Sequence, residues 1–388
     1  MLGIDTVVLN FYPNEFAILQ PWDFTPNTNR IVATEPKDMG KGRYMPATRN
    51  PTKQETAQAG YLPYLTFYKG IRAGGVTTGL RVQFSVPKLI YGNNFDELVE
   101  ADLDQVYERL FEGLKFYGIR FFKGIDTVKN AKVATIHFAK NFPLSNYMTA
   151  HEAIAEIQKC DVTSWRDVSQ SDYVNNGHGF KTHSKYYELA FYDKIAEYNK
   201  GKRHQPVFDK DLQLQMDLFS DGTVVQPFEV LRMEARLNNP RTIKSTLQKA
   251  GFEGTEVTLA ALCNKDISQA VLKQQLDELY SRYPKISDAK APDLHALFSE
   301  LYVQNPDRNI TTLLSAVGLR ALNQEHGTRK LKDIVGSRGS PALLRQAKKI
   351  NNELAYRYEQ PEVFQILDEQ LDRFLPVKLA NFVKWLQM

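Results

Sequence analysis

The chain has 388 residues, 43% of them hydrophobic and 11% aromatic, enough apolar material for a sizeable core and too much for wholesale disorder. A formal net charge of +4 neither requires nor excludes a polyanionic partner, so any basic patch must be local. Two cysteines, with no CxxC and no Cys/His cluster, argue against a disulfide framework or a structural zinc site and fit a reducing cytoplasm.

The first stretch, "MLGIDTVVLNFYPNEF", has no basic leader and its apolar run breaks at Asn10 and Pro13, so neither a signal peptide nor an anchor is expected. "DTVVLNF" reads as a strand, and a polar loop rich in Pro, Asn and Thr is expected over 21–60. "YLPYLTFYKG" and "TTGLRVQFSVPKLIYG" read as strands; in the second, Leu80, Val82, Phe84 and Val86 alternate with Arg81, Gln83 and Ser85. In "NNFDELVEADLDQVYERLFEGLKFYGI" the recurring leucines predict a helix stopped at Gly118, with Asn94 as its N-cap after a positive φ at Gly92. "KVATIHFAKNF" returns to strand alternation, "MTAHEAIAEIQKC" to helix, and 161–182 reads as polar loop. "KYYELAFYDK" and "PFEVLRMEARLN" are strands parted by a loop at 201–225. Beyond residue 240 only helical periodicity continues. The expected fold class is α+β: an antiparallel-sheet domain over 1–245, then an all-helical region over 246–388.

Strand parity picks out one polar surface. In "VLRMEARL", Leu231, Met233, Ala235 and Leu237 form one face, and Arg232, Glu234 and Arg236 the other. In "YELAFYDK", Tyr192 and Lys194 lie opposite Leu189 and Phe191; in "VATIHFA", His137 opposes Ile136 and Phe138. If these strands are neighbours, His137, Tyr192, Glu234 and the two arginines share one surface. A phenol beside a cation or a base can act as a nucleophile. Carboxylates and an imidazole can hold one Mg²⁺ or Mn²⁺. An arginine can stabilise the charge of a reacting phosphate. The plainer reading of Arg-x-Glu-x-Arg is a solvated row of ion pairs.

The segments "SVPKLIYGNN", "VATIHFAKNF", "YYELAFYDKIAEYNK" and "FEVLRMEARLNNPRTIKSTL", in this order, resemble replication initiators of the filamentous-phage gene II type, over roughly residues 1–250. Tyr-x-Lys-x-x-Glu and Arg-x-Glu are also similar to motifs of rolling-circle plasmid initiators and some relaxases. The resemblance implies a site-specific, metal-dependent DNA nickase that starts rolling-circle replication of a phage or plasmid. Its tyrosine attacks a phosphodiester at the origin, keeps a 5′-phosphotyrosine and frees a 3′-hydroxyl. Carried over, Tyr192, Lys194 and Arg232 are catalytic, and Glu197 and Glu234 are metal ligands. His137, where relatives tend to have an aspartate, is the third expected ligand and puts the choice of metal in doubt. No two of the seven histidines are two residues apart, which argues against the class of nickases with a paired-histidine motif. Tyr186 shares the parity of Tyr192 and is the alternative nucleophile; Tyr198 is expected in the next helix.

Arg236, Lys181 and Lys185 are expected to meet DNA around the sheet. Six bases against one acid across 330–350, among them Lys330, Lys332, Arg345 and Lys348, together with glycine breaks, suggest a helix-turn-helix reader of duplex DNA. Origin DNA is then the partner, in a bacterial cytoplasm, with no membrane. With no GxxxxGK[ST] in the chain, unwinding would fall to a host helicase and extension to a host polymerase. The competing reading is a DNA-binding repressor or copy-control factor without catalysis. A conjugative relaxase is a close variant of the first.

Overall fold

The protein's structure, a computed structural model, describes residues 1–20, 23–26, 43–72, 75–144, 148–162, 173–174, 178–197, 229–283, 293–354 and 360–380. Its strands are β1 (Ile4–Phe11), β2 (Phe16–Ile18), β3 (Thr25–Pro26), β4 (Arg43–Arg49), β5 (Tyr64–Arg72), β6 (Gly75–Ser85), β7 (Ile119–Phe121), β8 (Lys132–Pro143), β9 (Tyr173–Val174), β10 (Gly179–Ser184), β11 (Tyr187–Asp193) and β12 (Val230–Leu237). The helices are α1 (Lys53–Ala59), α2 (Val86–Tyr91), α3 (Leu103–Phe116), α4 (Ile125–Lys129), α5 (Ala150–Ile157), α6 (Pro240–Lys249), α7 (Leu259–Leu262), α8 (Lys265–Tyr280), α9 (Leu294–Gln304), α10 (Ile310–Glu353) and α11 (Glu362–Arg373).

Ten strands form one antiparallel sheet in the order β3-β4-β5-β6-β1-β8-β12-β11-β10-β9. β1 is central because it has no solvated side: Val7, Val8, Leu9 and Phe11 are all buried, which only a strand paired on both edges and packed on both faces sustains. β2 and β7 make a separate pair that sets Phe16 opposite Phe121. The α+β expectation holds, with sheet first and helices after.

Several local expectations change. Within the segment read as a loop, Arg43–Arg49 is an edge strand and Lys53–Ala59 a helix closed by a Thr52/Glu55 capping box. "VPKLIY" is helical, since Pro87 sits at a first-turn position where its missing N–H costs nothing. Asn94 is not an N-cap; the regular helix starts at Leu103, and Asn93 folds the preceding loop by accepting from the amides of Phe95 and Asp96. Residues 179–182, read as loop, belong to β10. The segment 201–225 lies outside the described residues.

One hydrophobic core runs from the sheet into the later helices. Ile267, Val271, Leu272 and Leu276 of α8 and Phe364, Leu367 and Leu371 of α11 join the same cluster as Val7, Phe138 and Met233. The change of element type near residue 240 is therefore not a break in the core. Gly3, at φ +58°, lets the N-terminus lie against these helices: a Cβ there would come within 2.9 Å of Phe374 and Ser268. A second, smaller cluster built on Leu297, Leu301, Leu313 and Ile350 holds α9 to α10. α10 is broken at Gly327 (φ 69°) and Gly336 (φ 67°), whereas Gly318 continues the helix.

Candidate active site

β8, β12 and β11 are consecutive strands of the sheet. Their register sets up three cross-strand rows: Asn141–Arg232–Tyr192, Ala139–Glu234–Ala190 and His137–Arg236–Glu188. Residues directly opposite each other point to the same face, so the polar surface expected from parity is assembled by pairing of strands far apart in the chain.

Glu234 is its hub. Its Oε1 accepts from the Tyr192 hydroxyl at 2.5 Å and from Arg232 Nε at 2.8 Å. Its Oε2 accepts from Arg236 Nε at 2.7 Å and pairs with Nη2 at 2.6 Å. Arg232 continues to Asp5 through Nη2 at 2.9 Å and to Asn141 Oδ1 through Nη1 at 3.0 Å. Arg236 reaches Glu188 Oε1 at 2.6 Å. Arg232 and Glu234 are only 2% and 3% exposed, so this is no solvated row of ion pairs. Two charges are held out of water by a network that uses nearly all their bonding capacity.

Burial and then Glu234 push the Tyr192 phenol well above its ordinary range, so it is held as a neutral donor. Burial works against the charge on Glu234, yet the guanidinium groups of Arg232 and Arg236 keep its carboxyl well below the usual carboxylate range. His137, in the row of Arg236, is lowered chiefly by burial and stays neutral.

Lys194 follows from how β11 ends. Asp193 accepts from the amide of Ala196 and starts a helical turn over 194–197, which carries Lys194 into the interior. Its side chain is fully buried, 5.8 Å from the centre of the Tyr192 ring, and Nζ donates to Glu197 Oε2 at 2.7 Å. Burial, then Arg232, lowers its pKa.

The three residues expected to hold a metal are not arranged as a donor set. Glu234 is saturated by two arginines and a phenol, and Glu197 is turned to Lys194. Among the described residues no three His, Cys, Asp or Glu side chains are placed to hold an ion. As folded, these residues do not fit a resident metal.

Tyr186 is exposed in the turn before β11, six residues from Tyr192 or about 20 Å along an extended strand, with Lys185 stacked on its ring. Tyr198 lies outside the described residues. Lys181, on the neighbouring β10, stands 3.6 Å from Glu188 at the margin of the network. Arg345 and Lys348 are exposed on the last part of α10; Lys330 and Lys332 lie on the same helical stretch, their side chains outside the described residues. Three residues of the site escape a reading by motif: Asp5, Asn141, and Asn94, whose carbonyl accepts from Arg232 at 3.3 Å. Asn141 had a signal, because the alternation through His137 and Ala139 reaches it in two more residues.

Residues 67–251, a little under half of the chain, match the model of a family described as the N-terminal region of the replication-associated protein of phage gene II. The matched span carries Tyr192, Lys194, Arg232, Glu234 and Arg236, and it bears out the resemblance to the filamentous-phage gene II type. It supports a role in initiating DNA replication, and with it contact with origin DNA. No curated protein and no solved structure matches the chain. Among the described residues no helix is long and apolar enough to cross a membrane.

Proposed function

We propose that this replication initiator is a site-specific single-strand endonuclease and strand-transferase whose nucleophile is Tyr192. The observation that carries the reading is the Tyr192–Glu234–Arg232 cluster: a phenol, a carboxylate and a guanidinium joined on adjacent strands inside the family-matched span. A protein that only bound DNA would gain nothing from a buried carboxylate bonded to a tyrosine hydroxyl, and beside a polyanion it would lose affinity.

In the resting arrangement Glu234 is too well paired to be a base. A DNA phosphate competes for the same guanidinium groups, and Arg236, about a quarter exposed, is the one solvent reaches first. As positive charge turns from Glu234 to the phosphate, the carboxylate becomes more basic and its bond to the phenol tightens. The Tyr192 Oη–phosphorus bond forms while the phosphorus–O3′ bond breaks. The phenol proton leaves along the bond to Glu234, and the departing O3′ takes a proton from solvent. The arginines stabilise charge on the non-bridging oxygens, a contribution of about 10²–10³ in rate for each well-placed donor. The 5′-phosphotyrosine conserves the bond energy for later closure by the reverse step. The freed 3′-hydroxyl would prime a host polymerase in the bacterial cytoplasm, with a separate helicase unwinding ahead of it.

No step above runs through a metal. A requirement for Mg²⁺ or Mn²⁺ is part of the reading and is tested in the same assay, run with each cation and with a chelator. The test is cleavage of a supercoiled plasmid carrying the replicon's own origin, comparing wild type with Tyr192→Phe. A covalent protein–DNA adduct in the wild type, absent from the variant, is the expected result. An adduct that persists in Tyr192→Phe makes Tyr186 the nucleophile. Binding without cleavage under every condition means a DNA-binding protein without catalysis.

A further inference from the structure

The guanidinium of Arg232 is held on three sides, and only two of its holders are charged. Nε meets Glu234 and Nη2 meets Asp5, while Nη1 meets the side-chain oxygen of Asn141. Asn141 is completely buried and stands directly opposite Arg232 in the register, in the row that ends at Tyr192. Its side chain is itself fixed at the other end: Nδ2 donates to the carbonyl of Phe95 at 2.7 Å. The amide therefore spans the gap between the reacting row and the loop that follows α2.

That loop is anchored in turn. The Glu97 carboxylate accepts from the backbone amide of Asn141, from the buried Lys140 Nζ at 3.0 Å and from the amide of Val377 at 2.8 Å. Asn141 is thus tied at backbone and side chain to a rigid base, and it presents one acceptor to Arg232. An amide suits this place better than a carboxylate. Aspartate would be the third anion around one guanidinium, and its second oxygen would face the Phe95 carbonyl. A neutral acceptor sets the plane of the guanidinium without competing with a phosphate for its charge.

We propose that Asn141 is a positioning residue: it orients Arg232 toward the scissile phosphate and acts on the transfer step rather than on DNA affinity. This rests on the reading of the site as a tyrosine nickase. Single-turnover cleavage of an origin oligonucleotide by Asn141→Ala should be slowed on the order of 100-fold, as expected when a positioned group shifts by about an ångström. Equilibrium binding of the same oligonucleotide should be unchanged.

A cycle with Arg232→Lys separates positioning from general damage. If Asn141 acts through Arg232, the double variant is no slower than Arg232→Lys alone; independent, multiplying losses would overturn the proposal. A second readout needs no cleavage. In the wild-type protein the Nε–H proton of Arg232, assigned by its loss in Arg232→Lys, should be protected from solvent exchange, and Asn141→Ala should accelerate that exchange about tenfold or more. Unchanged exchange would overturn the proposal as surely as additivity. If the wild type never cuts DNA, the nickase reading fails, and the exchange measurement alone decides whether Asn141 holds Arg232.

Discussion

Tyr192 and Glu234, on adjacent strands and 42 positions apart, share a hydrogen bond of 2.5 Å in which the phenol donates and the carboxylate accepts. The proposed nucleophile is therefore at rest in its neutral form, restrained by a carboxylate that two arginines keep ionised. Reactivity has to be released by whatever draws positive charge away from Glu234, and a phosphate does that.

This arrangement gives the nicking rate a pH dependence. Because burial raises the Tyr192 phenol above its usual range, the fraction ionised at neutral pH is small and grows with pH. Single-turnover cleavage should rise steadily from pH 6 to pH 9, by about tenfold per unit if phenolate is the attacking form. A flat profile across that range would show that proton loss from Tyr192 does not limit the step.

The same group has a signature in stability. A raised folded pKa contributes stability that is present below the unfolded value of 10.0 and is lost as the pH climbs toward the folded one. Other buried tyrosines, Tyr61 among them, share that limb. The informative quantity is thus the difference between wild type and Tyr192→Phe. Wild type should lose more unfolding free energy than the variant above pH 10, measured by urea titration.

Glu234→Gln leaves Arg232 and Arg236 facing an amide. Removing one partner of a buried ion pair costs about 3–5 kcal/mol, which the urea midpoint should report. The loss should shrink at low pH. The folded pKa of Glu234 lies below its unfolded value of 4.5, so its stabilising effect is present above that value and fades as the pH falls.

Lys140 and Glu97 form a second buried pair, 3.0 Å apart and away from the reacting row. Lys140→Met should destabilise the protein by about 3–5 kcal/mol. Combining it with Glu97→Gln should recover part of that loss in the same urea titration, because no lone charge then stays buried. Strict additivity of the two losses would contradict the pairing.

Arg345 and Lys348 are exposed and lie far along the chain from the sheet residues. Replacing both with Gln should weaken binding to duplex origin DNA and lower the slope of log affinity against log salt by about 2. Cleavage of a short single-stranded oligonucleotide should be unaffected. If both activities fall together, duplex recognition and cutting share one surface.

How much of this was legible in the sequence varies with the physics of each feature. Parity within "VLRMEARL" and "YELAFYDK" places Arg232, Glu234 and Tyr192 on polar faces because alternation is a local property of a strand. What parity cannot give is which strands are neighbours, and the ordering β8-β12-β11 supplies it. Burial was misjudged: a strand reading Arg-x-Glu-x-Arg resembles a wet face, yet here the charges satisfy one another inside the protein. Asp5 left no local mark, since one acid in an apolar strand gains meaning only from an arginine 227 positions away, brought to 2.9 Å by the fold. The metal expectation rested on residue types alone, and types do not say that Glu234 is occupied by arginines and Glu197 by a lysine.

The strand order also dictates a sequence of events. β11, which carries Tyr192, is synthesised before β12 but touches the rest of the sheet only through it, because β12 lies between β11 and β8. Until the segment bearing Arg232 and Glu234 has been made and inserted, the tyrosine strand and its β10 partner have no seat beside β8. Such non-local pairing is slow to form. During biogenesis the nucleophile therefore cannot take its place in the sheet ahead of the residues that restrain it, and a half-made chain carries the tyrosine without the means to use it.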